Sequence, residues 1–334
     1  DLVLRNIEQS VSSTRLRLIE ELRSLGRDVT LPQFLREADL DLDEVYRLRG
    51  SSWTELRRGA GLPTASAGPD DSRLALALGQ ILHWDDPSRL RCYRRWLSES
   101  TPPNCESFSA SESRMAIALV FALWGTTRKW SDLQSALSHL WEHDAYREEL
   151  DELLALLEER APHLCEPLGS TIAGWTNPVP LAVHSRYSLA EVLIAFDRMN
   201  LERPHQIREG VFYDATTKTD LFFVTLEKTE SHYSPTTRYR DYAISPVLFH
   251  WESQSQTPAS SPTGQRYIHH AEQGSHVLLF IRLRQKDGQL NVPYFFAGPA
   301  RYVKHSGSKP MAIIWELARP LPGEFYAEAK LAAG

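Results

Sequence analysis

Residues 275–305, "SHVLLFIRLRQKDGQLNVPYFFAGPARYVKH", decide how the chain is read. The run opens with "SHVLLFIRLR" and closes with "VPYFFAGPARYVKH". Both are rich in β-branched and aromatic residues and read as strands. Asp287-Gly288 lies between them, a pair that favours a tight hairpin turn. Working outward, "DLFFVTLEK" (220–228) and "MAIIWELARPL" (311–321) read the same way, bounded by the turn signals "SGSKP" and "RPLPG". A helix precedes them at "YSLAEVLIAFDRM", with Ser188 as its cap and Leu189, Val192, Leu193 and Phe196 as its apolar face. Several strands at this spacing predict a closed or nearly closed barrel.

The first 160 residues have a different period. "STRLRLIEELRSLG" places Leu16, Ile19, Leu22 and Leu25 at helical spacing and stops at Gly26. "TLPQFLREADL" follows, with Thr30 as N-cap and Pro32 in the first turn. "DLDEVYRLRG" and "SWTELRRGAGL" are two further short helices, the second capped by Ser51 or Ser52. A turn-rich stretch at 60–71 leads to "DSRLALALGQILHW", "PSRLRCYRRWLSE", "SRMAIALVFALWG" and the acidic "YREELDELLALLEERA". These predict a small helical bundle, read first as a packing and connecting module. The sharper alternative is a helix-turn-helix that meets DNA through Arg57 and Arg58.

The chain of 334 residues is long enough for two domains, and 42% hydrophobic with 24% charged residues is a folded composition. We expect a helical domain over 1–160, a linker over 161–180 and a β domain over 181–334. The net charge of −6 does not favour nucleic acid by itself. Residues 205–309, however, carry 12 basic against 9 acidic side chains and 7 of the 12 histidines. A mildly basic β domain beside an acidic helical one suits a local nucleic-acid face. Cys92, Cys105 and Cys165 form no CxxC pair, which argues for a reducing compartment. No apolar run approaches the ~20 residues of a membrane span. The chain begins at Asp1, without Met, in amphipathic sequence. We read it as part of a longer cytoplasmic polypeptide.

Catalytic signals are weak. No phosphate loop of the GxxxxGK[ST] type is present, nor HExxH, nor a His/Cys cluster with metal spacing. We therefore expect no metal and no cofactor in this segment. Asp220 with Glu227-Lys228 does not fit a metal-dependent nuclease core, because adjacent strand residues point apart. Binding fits better. "HYSPTTRYRDYAISPVLFHWESQS" (232–255) falls between the first two strands and joins five aromatic rings to many polar groups. Reading one base takes flat rings and a few fixed polar groups. Tyr233, Tyr239, Tyr242, Phe249 and Trp251 supply rings, and Asp241 supplies an acceptor for an exocyclic amine. Lys228, Thr236, Thr237, Arg238 and Arg240 have phosphate-binding chemistry. The competing reading puts the rings in the barrel core and pairs Asp241 with a structural arginine.

Three runs together resemble a known family: residues 208–255, "SPTGQRYIHH" (261–270) and "VPYFFAGPARYVKHSGSKPMAIIWEL" (292–317). They look like a C-terminal domain of unknown function found on bacterial superfamily-two helicases with a phospholipase D-like nuclease, the SauUSI-like type IV restriction enzymes. "LPQFLREADLDLDEVYR" and "SWTELRRGAGL" resemble the helical segment that joins helicase to reader there. The resemblance implies an α+β chain, with an N-terminal helical bundle and an SRA/PUA-like twisted β-barrel with flanking helices. It implies double-stranded DNA bearing 5-methyl- or 5-hydroxymethylcytosine as partner, read by base flipping. By their own chemistry and position, not by any family motif, Ser253 and Gln254 are expected in the base pocket and Arg266 among the phosphate contacts. The helicase and nuclease, with their ATP and magnesium, would lie upstream in the same bacterial cytoplasmic polypeptide. A phosphorothioate or bulkier base modification, or a protein-interaction role for the domain, are the alternatives.

Overall fold

The computed structural model describes residues 2–47, 51–162, 164–204, 210–227, 241–254, 256–288 and 290–333. Contacts divide the chain into two units: Asp1–Ala161 with Asn200–His205, and Pro162–Met199 with Gln206–Gly334. No helix among the described residues is long and apolar enough to cross a membrane.

The first unit is helical: α1 (Leu2–Leu25), α2 (Leu31–Glu37), α3 (Leu42–Tyr46), α4 (Trp53–Ala60), α5 (Asp71–Gln80), α6 (Pro87–Leu97), α7 (Ala110–Trp124), α8 (Leu133–Ser138) and α9 (Asp144–Arg160). Local signals set the ends. The Thr30 side chain caps α2 in a reciprocal box with Gln33, and Ser52 accepts from the Glu55 N–H at the start of α4. Glu149 of α9 accepts from the backbone N–H groups of Trp53 and Thr54 at 2.6 and 2.9 Å, so a buried carboxylate completes the cap of α4. In α1 the core stripe runs through Leu18, Ile19 and Leu22, whereas Leu16 is 58% exposed. Arg57 and Arg58, the candidate DNA contacts, are engaged within this unit. Arg57 donates to the carbonyls of Val29 and Pro63, and Arg58 pairs with Glu55 and Asp71.

The second unit is built on strands: β1 (Glu166–Pro167), β2 (Ala182–Val183), β3 (Arg186–Tyr187), β4 (Val211–Asp214), β5 (Thr219–Thr225), β6 (Tyr242–Ser245), β7 (Leu248–Glu252), β8 (His276–Arg282), β9 (Lys286–Asp287), β10 (Leu290–Asn291), β11 (Tyr294–Ser306) and β12 (Ala312–Leu317). Helices α10 (Leu168–Thr171), α11 (Leu189–Ala195), α12 (Pro262–Ile268) and α13 (Gly323–Ala333) accompany them. The stretch expected as a linker carries β1 and α10, and Leu168 is fully buried in this unit's core. β9 and β10 form the expected hairpin, with Asp287 paired to Leu290 and Gly288 in the turn that follows it.

Eight strands make one mixed sheet in the order β4-β5-β8-β11-β12-β7-β6, with β3 also paired to β11. Among the described residues of this sheet only β5 and β8 run parallel. Those two strands are buried on both faces, which explains the apolar runs LFFV and VLLFI at their centres. Leu221 and Phe223 pack towards Val192 and Phe196 near α11, while Phe222 and Val224 face Trp251, Trp315 and Phe325. The long β11 serves both halves, pairing with β8 up to Pro299 and with β12 from Ala300. Its register shifts at Gly298, where φ is +98° and an added Cβ would lie 2.8 Å from Val183 Cγ1. Only glycine permits that close crossing.

The sheet curls but is not closed into a barrel. Among the described residues no ladder joins β4 to β6. The curl is set by side chains. Phe222 of β5 and Trp251 of β7 stack with centroids 4.1 Å apart and planes 17° apart. Three strands intervene between them in the sheet, which would separate them by about 19 Å if the sheet were flat. Trp315 lies edge-on to Phe222 at 5.5 Å. Trp251→Ala should therefore cost about 3–5 kcal/mol in urea unfolding. Tyr242→Ala, on the outer face, should cost less than about 1 kcal/mol. Equal small losses for both would show that Trp251 is not core.

Candidate nucleic-acid interface

The aromatic stretch resolves into a hairpin with two faces. Pro246 and Val247 turn β6 into β7, and Ser245 Oγ accepts from the Leu248 N–H at 3.1 Å. Along "LFHWE" burial alternates. Phe249 and Trp251 point into the core, and Leu248, His250 and Glu252 face outward. The mixture of polar and aromatic residues is thus a strand with one dry side.

Four strands line up their outward side chains. Lys304 stands opposite Ile314, Ile314 opposite His250, and His250 opposite Tyr242. The Tyr242 ring lies on His250 at 4.7 Å with planes 15° apart and is 39% exposed, leaving ring surface open. Lys304 has no ion-pair partner among the described residues, whereas its neighbour Arg301 is bound to Glu316, with Nε 3.1 Å from Oε2. Tyr302 donates its N–H to His270 Nε2 at 3.1 Å. That bond requires Nδ1 to carry the His270 proton, which faces the Ser275 carbonyl at 3.2 Å. Burial lowers the His270 pKa and keeps the ring neutral.

The expected site residues divide three ways. Tyr242 and Gln254 are exposed, and Asp241 sits just beneath the surface beside Tyr242. The Asp241 carboxylate accepts from the Glu252 N–H at 2.9 Å and so ties the start of β6 to the end of β7. Phe249, Trp251 and Ser253, expected on a pocket wall, lie inside the core instead. Alternation turns both rings inward, and Ser253 donates its N–H to the Met311 carbonyl at 2.9 Å while its Oγ accepts from the Met311 N–H at 2.9 Å. Tyr233, Tyr239, Lys228, Thr236, Thr237, Arg238 and Arg240 fall outside the described residues.

Residues 181–329 match the family model of a domain of unknown function, DUF3427. A DUF3427 domain is present. No curated protein matches the chain. The DUF3427 domain runs from β2 into α13 and so includes the whole curled sheet.

Arg266, expected on phosphate, holds a buried carboxylate within the domain. Its Nε and Nη2 donate to the two oxygens of Asp220 at 2.8 Å each, and Asp220 is fully buried. The guanidinium also lies 3.9 Å from the Tyr213 ring centroid. Hydrogen bonding to Asp220 raises the Arg266 pKa. The sequence reading named Tyr242 but missed Lys304 and His250, which stand in line with it, although the period-2 pattern of "LFHWE" puts His250 on the outward side. Arg266→Met should leave Asp220 buried and unpaired and lower stability by about 3–5 kcal/mol in urea titration. An arginine that served phosphate alone would leave the unfolding midpoint unchanged.

Proposed function

We propose that the DUF3427 domain is a reader of modified double-stranded DNA, with the outward row of Tyr242, His250 and Lys304 as its contact surface. The observation that carries this reading is the open Tyr242 ring, backed by His250. Such a ring offers a stacking surface to any base, and Lys304 offers a cation to a nearby phosphate. The resemblance to SauUSI-like enzymes supports 5-methyl- or 5-hydroxymethylcytosine as the target. On that reading the chain is the target-recognition part of an ATP-dependent type IV restriction endonuclease. Helicase and nuclease would be supplied by the same bacterial polypeptide.

Magnitudes limit how the base is told apart. Flipping costs a few kcal/mol. Stacking on one ring returns about 1–3 kcal/mol. A buried methyl group adds about 0.8 kcal/mol, or roughly fourfold in affinity. A larger preference must come from the shape around Tyr242. A second reading, a protein-docking edge, is favoured by Ile244 and Val247, which are 40% and 38% exposed on the same hairpin.

Gel shifts with matched duplexes carrying cytosine, 5-methylcytosine or 5-hydroxymethylcytosine separate these readings. The modified duplexes should bind more tightly, and Tyr242→Ala should weaken them by about 10- to 100-fold. Lys304→Ala should weaken all three alike and reduce the salt slope by about one. Equal binding of all three duplexes would refute modified-base reading. No binding at low salt would favour the protein-docking edge.

A further inference from the structure

A cluster in the helical unit, unconnected with the DNA reading, has metal-binding chemistry. "HLWEH" (139–143) places two histidines four residues apart, where α8 passes through a short 3-10 turn into α9. This H-x-x-E-H spacing is the reverse of HExxH. Asp70, at the start of α5, supplies a third donor. Its Oδ2 lies 2.8 Å from His139 Nε2 and 3.7 Å from His143 Nε2, and the three donor atoms lie within 4.8 Å of one another. A tetrahedral zinc ion with bonds of about 2.0–2.1 Å sets its donors roughly 3.3 Å apart. The cluster needs only small adjustments to meet that spacing.

Two further observations point to an ion. The His143 side chain is only 9% exposed, and its Nε2 is buried, aimed at Asp70 and without a hydrogen-bond partner among the described residues. A buried imidazole nitrogen without a partner is a costly arrangement that coordination would relieve. His139 Nδ1 lies 2.8 Å from Glu142 Oε2. A carboxylate in that position keeps the proton on Nδ1 and leaves Nε2 with a lone pair, as in carboxylate–histidine–metal arrangements. That lone pair would then face the Asp70 oxygen at 2.8 Å, two acceptors that need a cation beside them, a place now held by the Arg128 guanidinium.

The geometry points to a divalent transition-metal site, zinc by its donor set, formed by Asp70, His139 and His143 with water as the fourth ligand. Arg128 is its competitor. Nη1 of Arg128 lies 3.0 and 3.1 Å from the two Asp70 oxygens, and Nη2 lies 3.1 Å from His139 Nε2. Its guanidinium rests on the Trp130 ring at 4.4 Å and near Trp124 at 5.3 Å. The metal displaces the guanidinium from Asp70, and the two tryptophans retain it. Glu142, bound to His139, does not stand free as a general base, so the site is structural or regulatory rather than hydrolytic.

The test is a titration of the metal-stripped chain with Zn2+ and with Co2+ as a spectroscopic probe. The wild type should bind one ion per chain and give the visible absorption of four-coordinate Co2+. Asp70→Asn and His143→Gln should each weaken binding by about 100-fold, and Glu142→Gln by about 10-fold. Arg128→Gln should bind about 10-fold more tightly, since a competing cation has gone. Circular dichroism of each variant without metal separates lost ligation from lost folding. If the ligand variants fail to fold, the wild type and Arg128→Gln decide the matter. No stoichiometric binding in either of those, or unchanged binding in a folded His143→Gln, overturns the site. Weaker binding in Arg128→Gln overturns the competing role.

Discussion

The stack of Phe222 on Trp251 is the contact on which the second unit depends. Strands hydrogen-bond only to their neighbours, so backbone pairing alone would leave β5 and β7 far apart. Burying two large rings against Trp315 brings the two ends of the sheet together and gives it an inside. From then on, every strand residue between them is committed either to that interior or to the outer face. β11 crosses the change of direction at Gly298, where only a residue without a side chain can pass Val183.

That commitment explains which expectations from sequence survive in the structure. The strands at 219–225, 276–282 and 312–317 were legible because β-branched and aromatic runs bounded by turns are a local signal. The caps at Thr30, Ser52 and Ser188 were legible for the same reason. Closure was not, because whether a curled sheet joins its edges depends on contacts distant in sequence. The stretch from 241 to 254 was legible as unusual, but its rings were read either as one pocket wall or as barrel core, not as divided between two faces. Alternation divides it, sending Phe249 and Trp251 inward and leaving Tyr242 and His250 outside. Arg266 looked like a phosphate ligand because its partner Asp220 is 46 residues away. The spacing of His139 and His143 was visible, but Asp70 lies 69 residues from His139, and only the fold unites them.

Asp241 and Tyr242 show how structure and proposed function share residues. The Asp241 carboxylate fastens the start of β6 to the end of β7, which holds the neighbouring Tyr242 ring flat on His250. A rigid ring loses little conformational freedom when a base stacks on it, which favours recognition by preorganisation. The same fastening sets the distance from that ring to Lys304 across two intervening strands. On the proposed reading, such a surface would recognise a base by shape and stacking rather than by charge alone.

Hydrogen–deuterium exchange on the chain, alone and with matched modified and unmodified duplexes, tests the central claim most directly. The account predicts that the duplex with 5-methylcytosine slows exchange in 241–252 and 301–306, and that the unmodified duplex does not. Unchanged exchange in both segments, or slowing confined to the helical unit, would contradict it.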